Sequence, residues 1–252
     1  MRKIYLFKGT MESYLDAVER LWKVAKAEDE LQVEYSYNPG FFEKTFQITS
    51  LPREAVYGKE ALLLKKVSRT LMHAFSSGRD SVAEKTPFFL NYFKKNGSPA
   101  FNHMAEPSIR FVINAAFATR REAHRIKGLL RFRKIENLLY APYFSKTFVM
   151  PLLGSYFKNR LPDDRWIIHD RERNTALFYD EKVLRQIFFE KKEVGKFVKM
   201  YENEEGKDLF ELLWKKYFKT IAIENRKNLK LQKSFMPEQY WRYIPELSER
   251  VT

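Results

Sequence analysis

A helical pattern that begins at Ile109, Val112, Ile113 and Ala116 ends at Gly128, a natural residue for a C-terminal cap. Beyond it the apolar period changes from about four to two: Leu130 and Phe132 alternate with basic residues, which is typical of a strand. A turn at 135–138 and a second apolar stretch at 138–144 then predict an antiparallel return strand. The centre of the chain is therefore a helix followed by a hairpin.

The same two periods predict elements on either side. Before this centre we expect a strand at 3–7, a helix at 11–27, strands at 31–37 and 42–49, and helices from 52 to 128. After it we expect a helix at 149–161, a hairpin formed by 166–169 and 176–179, and a strand at 183–189. Asp170 is expected to start the turn of that hairpin by bonding its own backbone.

Two helices are predicted near the end of the chain. One begins at Asp208 and the other at Met236. The buried face of the first is predicted to consist of Phe210, Leu213, Trp214, Tyr217 and Ile221.

These elements predict an α+β fold. We expect a small antiparallel sheet built from the N-terminal strands and the two later hairpins, together with C-terminal helices. The chain, 1–252, is interpreted as one α+β domain with a helical subdomain at about 52–128.

Charge adds a functional expectation. The 252 residues carry a formal charge of +14, and seven Lys or Arg but one acid lie between positions 120 and 134. Like charges four residues apart destabilise a helix, so this crowding indicates an anionic partner, most simply a phosphate backbone. A solvated basic face is the alternative. The predicted contacts are Arg120, Arg121, His124, Arg125, Lys127, Arg131 and Arg133, with Arg226 and Lys227 as secondary contacts.

Several classes of site have no support. The chain has no cysteine, which excludes disulfides, thiolate metal sites and iron–sulfur clusters within it. Its four histidines are scattered, and it has neither a phosphate-binding glycine loop nor a nucleophile elbow. We therefore expect no metal and no cofactor. No apolar run approaches a membrane span and no signal peptide is evident, so we expect no membrane partner and a cytoplasmic location.

Two catalytic hypotheses remain. His124 and His169 are candidates for acid–base chemistry, although neither has a partner at a helpful spacing. Asp163, Asp180 and Lys182 loosely match the Pro-Asp…Asp-x-Lys pattern of metal-dependent nucleases, in which two carboxylates hold magnesium. Surface turn chemistry is the alternative reading of all three.

Five segments carry a resemblance to a known family. They are REAHRIKGLLRFRKIENLLYAP, DDRWIIHD, ALFYD, LWKKYFKTIAIENRKN and MPEQYWRYIPEL. They resemble a bacterial family described as a probable DNA metabolism protein, and IYLFKGTMESYLDAV is similar to its strand-then-helix start, with Lys8 where an acid is usual. Its members are typically encoded beside a radical-SAM protein, and some carry a C-terminal uracil-DNA glycosylase domain, whose motifs do not occur here.

The resemblance implies DNA as a partner, together with a radical-SAM protein and a uracil-DNA glycosylase. With the charge pattern, it predicts a DNA-binding accessory protein of a bacterial DNA repair or modification system, acting with a partner enzyme and without chemistry of its own. Two alternatives stay open. One is a metal-dependent, nuclease-like enzyme acting on DNA, and the other is a protein-binding adaptor whose basic face docks an acidic partner.

Overall fold

The structure, a computed structural model, describes residues 4–7, 11–24, 30–33, 59–79, 81–189, 195, 199–201 and 209–247. The strand predicted at 42–49 lies outside these residues. The chain divides into two compact units: Met1–Glu122 with Lys146–Val149, and Ala123–Ser145 with Met150–Thr252. The interpretation as a single domain with a helical subdomain at 52–128 stays a prediction.

The first unit begins with two short strands and the helix that joins them. Strands β1 (Ile4–Phe7) and β2 (Glu30–Val33) pair in parallel, with helix α1 (Met11–Val24) between them. A parallel pair needs a crossover connection between its strands, and helix α1 supplies it. These strands form a two-stranded sheet of their own, whereas we had expected them to join the sheet of the later hairpins.

Three helices complete the described part of the first unit: α2 (Lys59–Phe75), α3 (Ser81–Asn96) and most of α4 (Pro107–Leu129), with a 3-10 turn at Ser98–Asn102. Their core is aromatic. The ring of Tyr14 stacks on Phe75 at 4.1 Å, and its hydroxyl lies 2.6 Å from that of Thr86. Burial raises the pKa of Tyr14.

The second unit is built on a five-stranded sheet with the order β3-β4-β5-β6-β7. The strands are β3 (Arg133–Ile135), β4 (Leu138–Tyr143), β5 (Arg165–Asp170), β6 (Thr175–Asp180) and β7 (Leu184–Phe188). Both predicted hairpins are present, and the sheet is antiparallel except between β4 and β5. Helix α5 (Met150–Arg160) connects those two strands and supplies the crossover that a parallel pair needs. The predicted α+β class is confirmed.

Each face of this sheet is buried. On one face, Trp166 lies against Phe157 of α5 and Phe132, with ring centroids 6.4 and 6.5 Å away. On the other face, a cluster of buried side chains gathers around Tyr140 and Tyr201. Both faces therefore contribute to the core of the second unit.

The C-terminal part of the second unit is helical. It consists of α6 (Leu209–Ile221), a 3-10 turn at Glu224–Arg226, α7 (Leu229–Phe235) and a 3-10 turn at Glu238–Tyr243. Asn228 caps α7 by accepting a 2.9 Å hydrogen bond from the backbone N of Leu231. None of the helices in the described ranges has the length and apolarity that a membrane crossing requires.

Candidate functional site

The two hairpin arginines of the predicted basic site are engaged in contacts within the second unit. Arg133 Nε and Nη2 both donate to Glu211 Oε2, at 3.0 and 2.6 Å. Arg131 donates to the carbonyl oxygen of Gly128 at 2.9 Å, and its Nη2 lies 3.5 Å from Glu246 Oε1. Arg131 thus satisfies a carbonyl at the end of α4, which gives it a structural role in addition to its charge.

Arg133 also contacts an aromatic ring. Its guanidinium lies 4.5 Å from the centre of the Tyr201 ring. Burial raises the pKa of Tyr201 to about 12, so its hydroxyl stays protonated at neutral pH. The side chains of Arg133 and Glu211 are 11% and 10% exposed, so this ion pair is largely withdrawn from solvent.

Helix α4 carries five of the predicted residues, and the boundary between the units falls within it. Arg120 and Arg121 belong to the first unit and are exposed; the Arg121 guanidinium lies 5.7 Å from the Phe117 ring. His124 in the second unit is exposed, and Arg125 is half-buried. Lys127 Nζ lies 5.1 Å from the Tyr156 ring, and burial lowers the pKa of Lys127.

The secondary contacts lie on an exposed segment. Arg226 and Lys227 are both exposed, between α6 and α7. Seven basic side chains are exposed between 209 and 247, against four acids in the same stretch. The seven are Lys216, Lys219, Arg226, Lys227, Lys230, Lys233 and Arg242.

Three of those four acids are already paired with cations. Glu211 pairs with Arg133, Glu246 with Arg131, and Glu238 with Lys233 at 2.7 Å. Because the first two pairs use arginines of the hairpin, outside this segment, its surface is more positive than its own composition indicates.

Helix α6 is oriented differently from the prediction. Leu213, Trp214, Tyr217 and Ile221 were predicted to be buried, but all four are exposed; the side chain of Phe210 lies outside the described residues. The reason is electrostatic, because Glu211 faces inward and forms an ion pair with Arg133. Lys215 lies on the same side of the helix, with its Nζ 3.8 Å from Glu211 Oε1. The helix presents a polar edge to the hairpin and leaves its apolar side in solvent.

A cleft of about 360 Å³ opens where the hairpin meets α6. Two ion pairs, three aromatic side chains and a proline line or border it. Its lining consists of Arg131, Phe132, Arg133, Tyr201, Glu211, Trp214 and Pro245. The structure thus brings Arg131 and Arg133 of the predicted site together, beside a tryptophan that was assigned to the core.

Three residues at the cleft were not predicted from the sequence as site residues: Trp214, Glu211 and Glu246. Trp214 is 42% exposed, and its Nε1 donates a 3.0 Å hydrogen bond to Glu246 Oε2. One signal was available: Trp214 is followed by the pair Lys215-Lys216, and basic residues beside an aromatic are typical of nucleic-acid surfaces. The acids gave no signal, because their partners lie far away in the chain.

The catalytic candidate His169 is fully buried in the sheet of the second unit. Its Nδ1 lies 2.6 Å from the hydroxyl of Tyr140, and its Nε2 is buried without a hydrogen-bond partner among the described residues. Burial lowers the pKa of His169 to about 3, with a smaller contribution from Arg171, so the ring is neutral at neutral pH.

Its neighbour Asp170 starts the turn of the hairpin, as predicted. Asp170 Oδ1 accepts from the backbone N of Glu172 and of Arg173, at 3.0 and 3.3 Å. Burial raises the pKa of Asp170, against the opposing effect of Arg173, whose Nη1 lies 3.1 Å from Oδ2.

The three nuclease-pattern residues lie near turns. Asp163 and Lys182 are exposed, whereas Asp180 is half-buried. Asp180 Oδ1 accepts from the backbone N of Lys182 and of Val183, at 3.2 and 2.8 Å, and these bonds lower its pKa. Across the described ranges, no three His, Asp or Glu side chains come together in a group that could hold a metal ion.

The comparisons place the chain in a family. Residues 83–246 match the sequence model of DUF4130, a domain of unknown function. The chain belongs to this family. The cleft and the exposed basic segment both lie within the matched residues. No curated protein and no solved structure gives a significant match.

Proposed function

We propose that this DUF4130 protein binds DNA through the exposed basic segment of its second unit. The observation that carries the proposal is the concentration of exposed lysine and arginine side chains from α6 to the last 3-10 turn, where three of the four acids are neutralised by ion pairs. Cations that neutralise phosphates supply most of the affinity in sequence-independent DNA binding. The predicted residues of helix α4 add to the proposal as a separate group of contacts.

The role that we propose is that of an accessory protein in bacterial DNA repair or modification. The chemistry then resides in a partner enzyme, for which the resemblance implies a radical-SAM protein or a uracil-DNA glycosylase. A cytoplasmic location belongs to the same proposal, since the DNA is there. Holding such an enzyme close to DNA raises its effective concentration on the substrate, so a modest affinity suffices.

The experiment measures DNA affinity as a function of salt. Purified protein is titrated into fluorescently labelled 20-mers, single-stranded and duplex, and binding is followed by anisotropy. Alanine at Lys216, Lys219, Arg226 and Lys227 should weaken binding and reduce the slope of log K against log salt. The expected reduction is about 3, because each lost contact with a single strand contributes about 0.7.

A matched control removes the same charge elsewhere. Lys59, Lys65, Arg69 and Lys95 are exposed in the first unit, and alanine at these four positions lowers the net charge equally. This control should retain most of the slope. Equal losses in the two quadruple variants would mean that net charge alone drives binding, and the proposed surface would be wrong.

One observation supports the alternative hypothesis that the protein is an adaptor that binds another protein. The basic segment also exposes apolar side chains, among them Ile223, Leu229, Leu231 and Phe235. Exposed apolar surface of this extent is typical of protein contacts. A protein partner with an acidic rim would match both the apolar and the basic side chains. Serine at Leu231 and Phe235 tests this role, since it should abolish enzyme recruitment while DNA affinity is retained.

A further inference from the structure

Trp214 differs from the other tryptophans of the chain. Trp22, Trp166 and Trp241 are buried, whereas Trp214 keeps 42% of its surface exposed. Leaving so large a ring in solvent forgoes the stabilisation that its burial would contribute. A ring in this position offers a stacking surface to a ligand.

The ring is also held in place. Its Nε1 donates to Glu246 Oε2 at 3.0 Å, and the Glu246 side chain is only 7% exposed. Tyr217 lies beside it, with ring centroids 5.9 Å apart and planes inclined by 37°. A side chain that is already ordered loses little entropy when a ligand stacks on it.

The polar groups of the cleft can form hydrogen bonds with the edge of a planar ligand. Glu211 Oε2 accepts both hydrogen bonds from Arg133. The other oxygen, Oε1, lies 3.8 Å from Lys215 Nζ, which is beyond hydrogen-bond distance. Within the described residues Oε1 accepts no hydrogen bond, so it is available to a donor such as a ring N–H or an exocyclic amine.

Charge and size narrow the class of ligand. Arg131 and Arg133 balance the carboxylates of Glu246 and Glu211, so the cleft has no unbalanced negative charge to attract a cationic ligand, and a purely apolar ligand would leave its polar groups unused. The volume of about 360 Å³ falls near the lower end of ligand pockets, which span roughly 300–1,000 Å³. A flat, polar-edged ring attached to a phosphate satisfies all of these conditions.

We propose that the cleft binds an unpaired nucleobase, which stacks on Trp214 and donates to Glu211 Oε1 while its phosphate faces Arg131. This inference rests on the proposed DNA binding and specifies what the second unit recognises. A base paired in a duplex has its Watson–Crick edge occupied and both faces stacked, so the cleft selects single-stranded DNA. A free nucleotide offers the same chemistry and is the second source of such a base.

A ligand in the cleft can contact the ring of Trp214, whereas the rings of the other three tryptophans are buried. A change in tryptophan emission on binding therefore reports on the cleft. The purified full chain is titrated with a labelled mixed-sequence single strand, its duplex and dGMP, and both emission and anisotropy are recorded. The single strand should quench the emission, whereas the duplex should bind with little quenching. Trp214→Phe should remove the quenching and retain the affinity, since phenylalanine also stacks.

Trp214→Leu should weaken single-strand binding by on the order of 5- to 100-fold, the effect expected for one lost base–aromatic stack, and should leave duplex binding unchanged. Leu213→Ala is the matched control: Leu213 is exposed on the neighbouring position of α6 and does not line the cleft. This variant should behave like the unmodified protein. Circular dichroism establishes that all variants are folded.

The outcomes separate the two proposals. DNA binding without quenching, or quenching that persists in Trp214→Phe, would overturn the nucleobase cleft and leave DNA binding intact. Absence of binding to either DNA would overturn the proposed function. Quenching by dGMP that is lost in Trp214→Phe would support the cleft, with the free nucleotide as its ligand, even in that case.

Discussion

Arg133 and Glu211 are joined by two hydrogen bonds that converge on a single carboxylate oxygen, at 3.0 and 2.6 Å, across 78 residues of sequence. The pair connects the first strand of the hairpin to helix α6 and is the main polar contact in the cleft. Because both side chains are largely buried, removing Glu211 leaves the charge of Arg133 uncompensated, and removing Arg133 leaves Glu211 with only the more distant Lys215, 3.8 Å away.

We therefore expect Glu211→Leu or Arg133→Met alone to lower the free energy of unfolding by about 3–5 kcal/mol. The double variant should lose much less than the sum, since it removes both charges together. Urea denaturation of the four proteins measures the coupling. Lys233→Met is the control, because its pair with Glu238 is exposed and should contribute little. Strict additivity of the two single effects would contradict this account.

The elements of the second unit could be predicted because their signals are local. The short apolar runs from Trp166 to His169 and from Ala176 to Tyr179 are enough to predict β5 and β6, and Asp170 starts the turn between them through its own backbone neighbours. The pairing of β1 with β2 could not be predicted in this way. The two strands are brought together through the crossover helix α1, and the residues of a short strand do not specify which strand it pairs with.

The orientation of α6 shows where such reasoning fails. Its apolar positions predict a buried face, yet Trp214 and Tyr217 are exposed and Glu211 points inward. The deciding partner, Arg133, lies in a different element, and a hydrophobic pattern contains no information on which distant charge a glutamate will meet. The cleft depends on this ion pair between distant elements. For that reason the sequence predicted the arginines of the cleft but could not predict the shape of the cleft.

His169 should make stability dependent on pH. Its pKa in the folded protein is about 3, below the ordinary value of about 6.5, so below pH 6.5 the unfolded chain binds a proton that the folded protein does not. The contribution of neutral His169 is therefore fully present above pH 6.5 and is lost as the pH falls towards 3. We expect the free energy of unfolding to decrease by up to about 1.4 kcal/mol per pH unit in this window.

Urea denaturation at several pH values between 4 and 8 measures this slope. His169→Phe keeps a ring of similar size and removes the titrating group, so it should flatten the slope. The raised pKa of the neighbouring Asp170 acts in the opposite direction, since its folded form binds a proton more readily than the unfolded chain. Equal slopes in the wild type and in His169→Phe would show that other groups determine the pH dependence.

The helix α4 residues allow a second test of DNA binding. Arg120 and Arg121 are exposed in the first unit, and Arg125 is half-buried in the second. If all three contact phosphates, alanine at these positions should lower the slope of log K against log salt on duplex DNA by about 2.7, since each contact contributes about 0.9. An unchanged slope would restrict the phosphate contacts to the C-terminal segment.

Arg131 serves as a contrasting substitution in the same assay. Its guanidinium donates to the carbonyl oxygens of Gly128 and Leu130 and pairs with Glu246. Arg131→Ala should therefore lower the thermal midpoint as well as the affinity, whereas Arg120→Ala should affect affinity alone. Differential scanning fluorimetry next to the binding assay separates the two effects.

The last prediction concerns catalysis: this chain alone should leave DNA intact. Asp180 Oδ1 is occupied by two backbone N–H groups, and in the described part of the chain no group of acids and histidines could hold a metal ion. Activity on DNA should appear only when a partner enzyme is added. We expect labelled single-stranded, duplex and uracil-containing DNA to survive incubation with the purified protein, with or without magnesium or manganese.

Three variants make this test specific, because any nuclease that co-purifies would act equally in all preparations. Cleavage that requires a metal and disappears in Asp180→Ala would establish the nuclease reading and refute the accessory role. Base release lost in His124→Ala would instead point to acid–base chemistry at the exposed end of α4. Glu181→Ala is the matched control, since Glu181 is exposed next to Asp180 and belongs to neither catalytic hypothesis. DNA that survives with every variant, while a chelator leaves binding unchanged, is the result expected of a protein that recruits an enzyme to DNA.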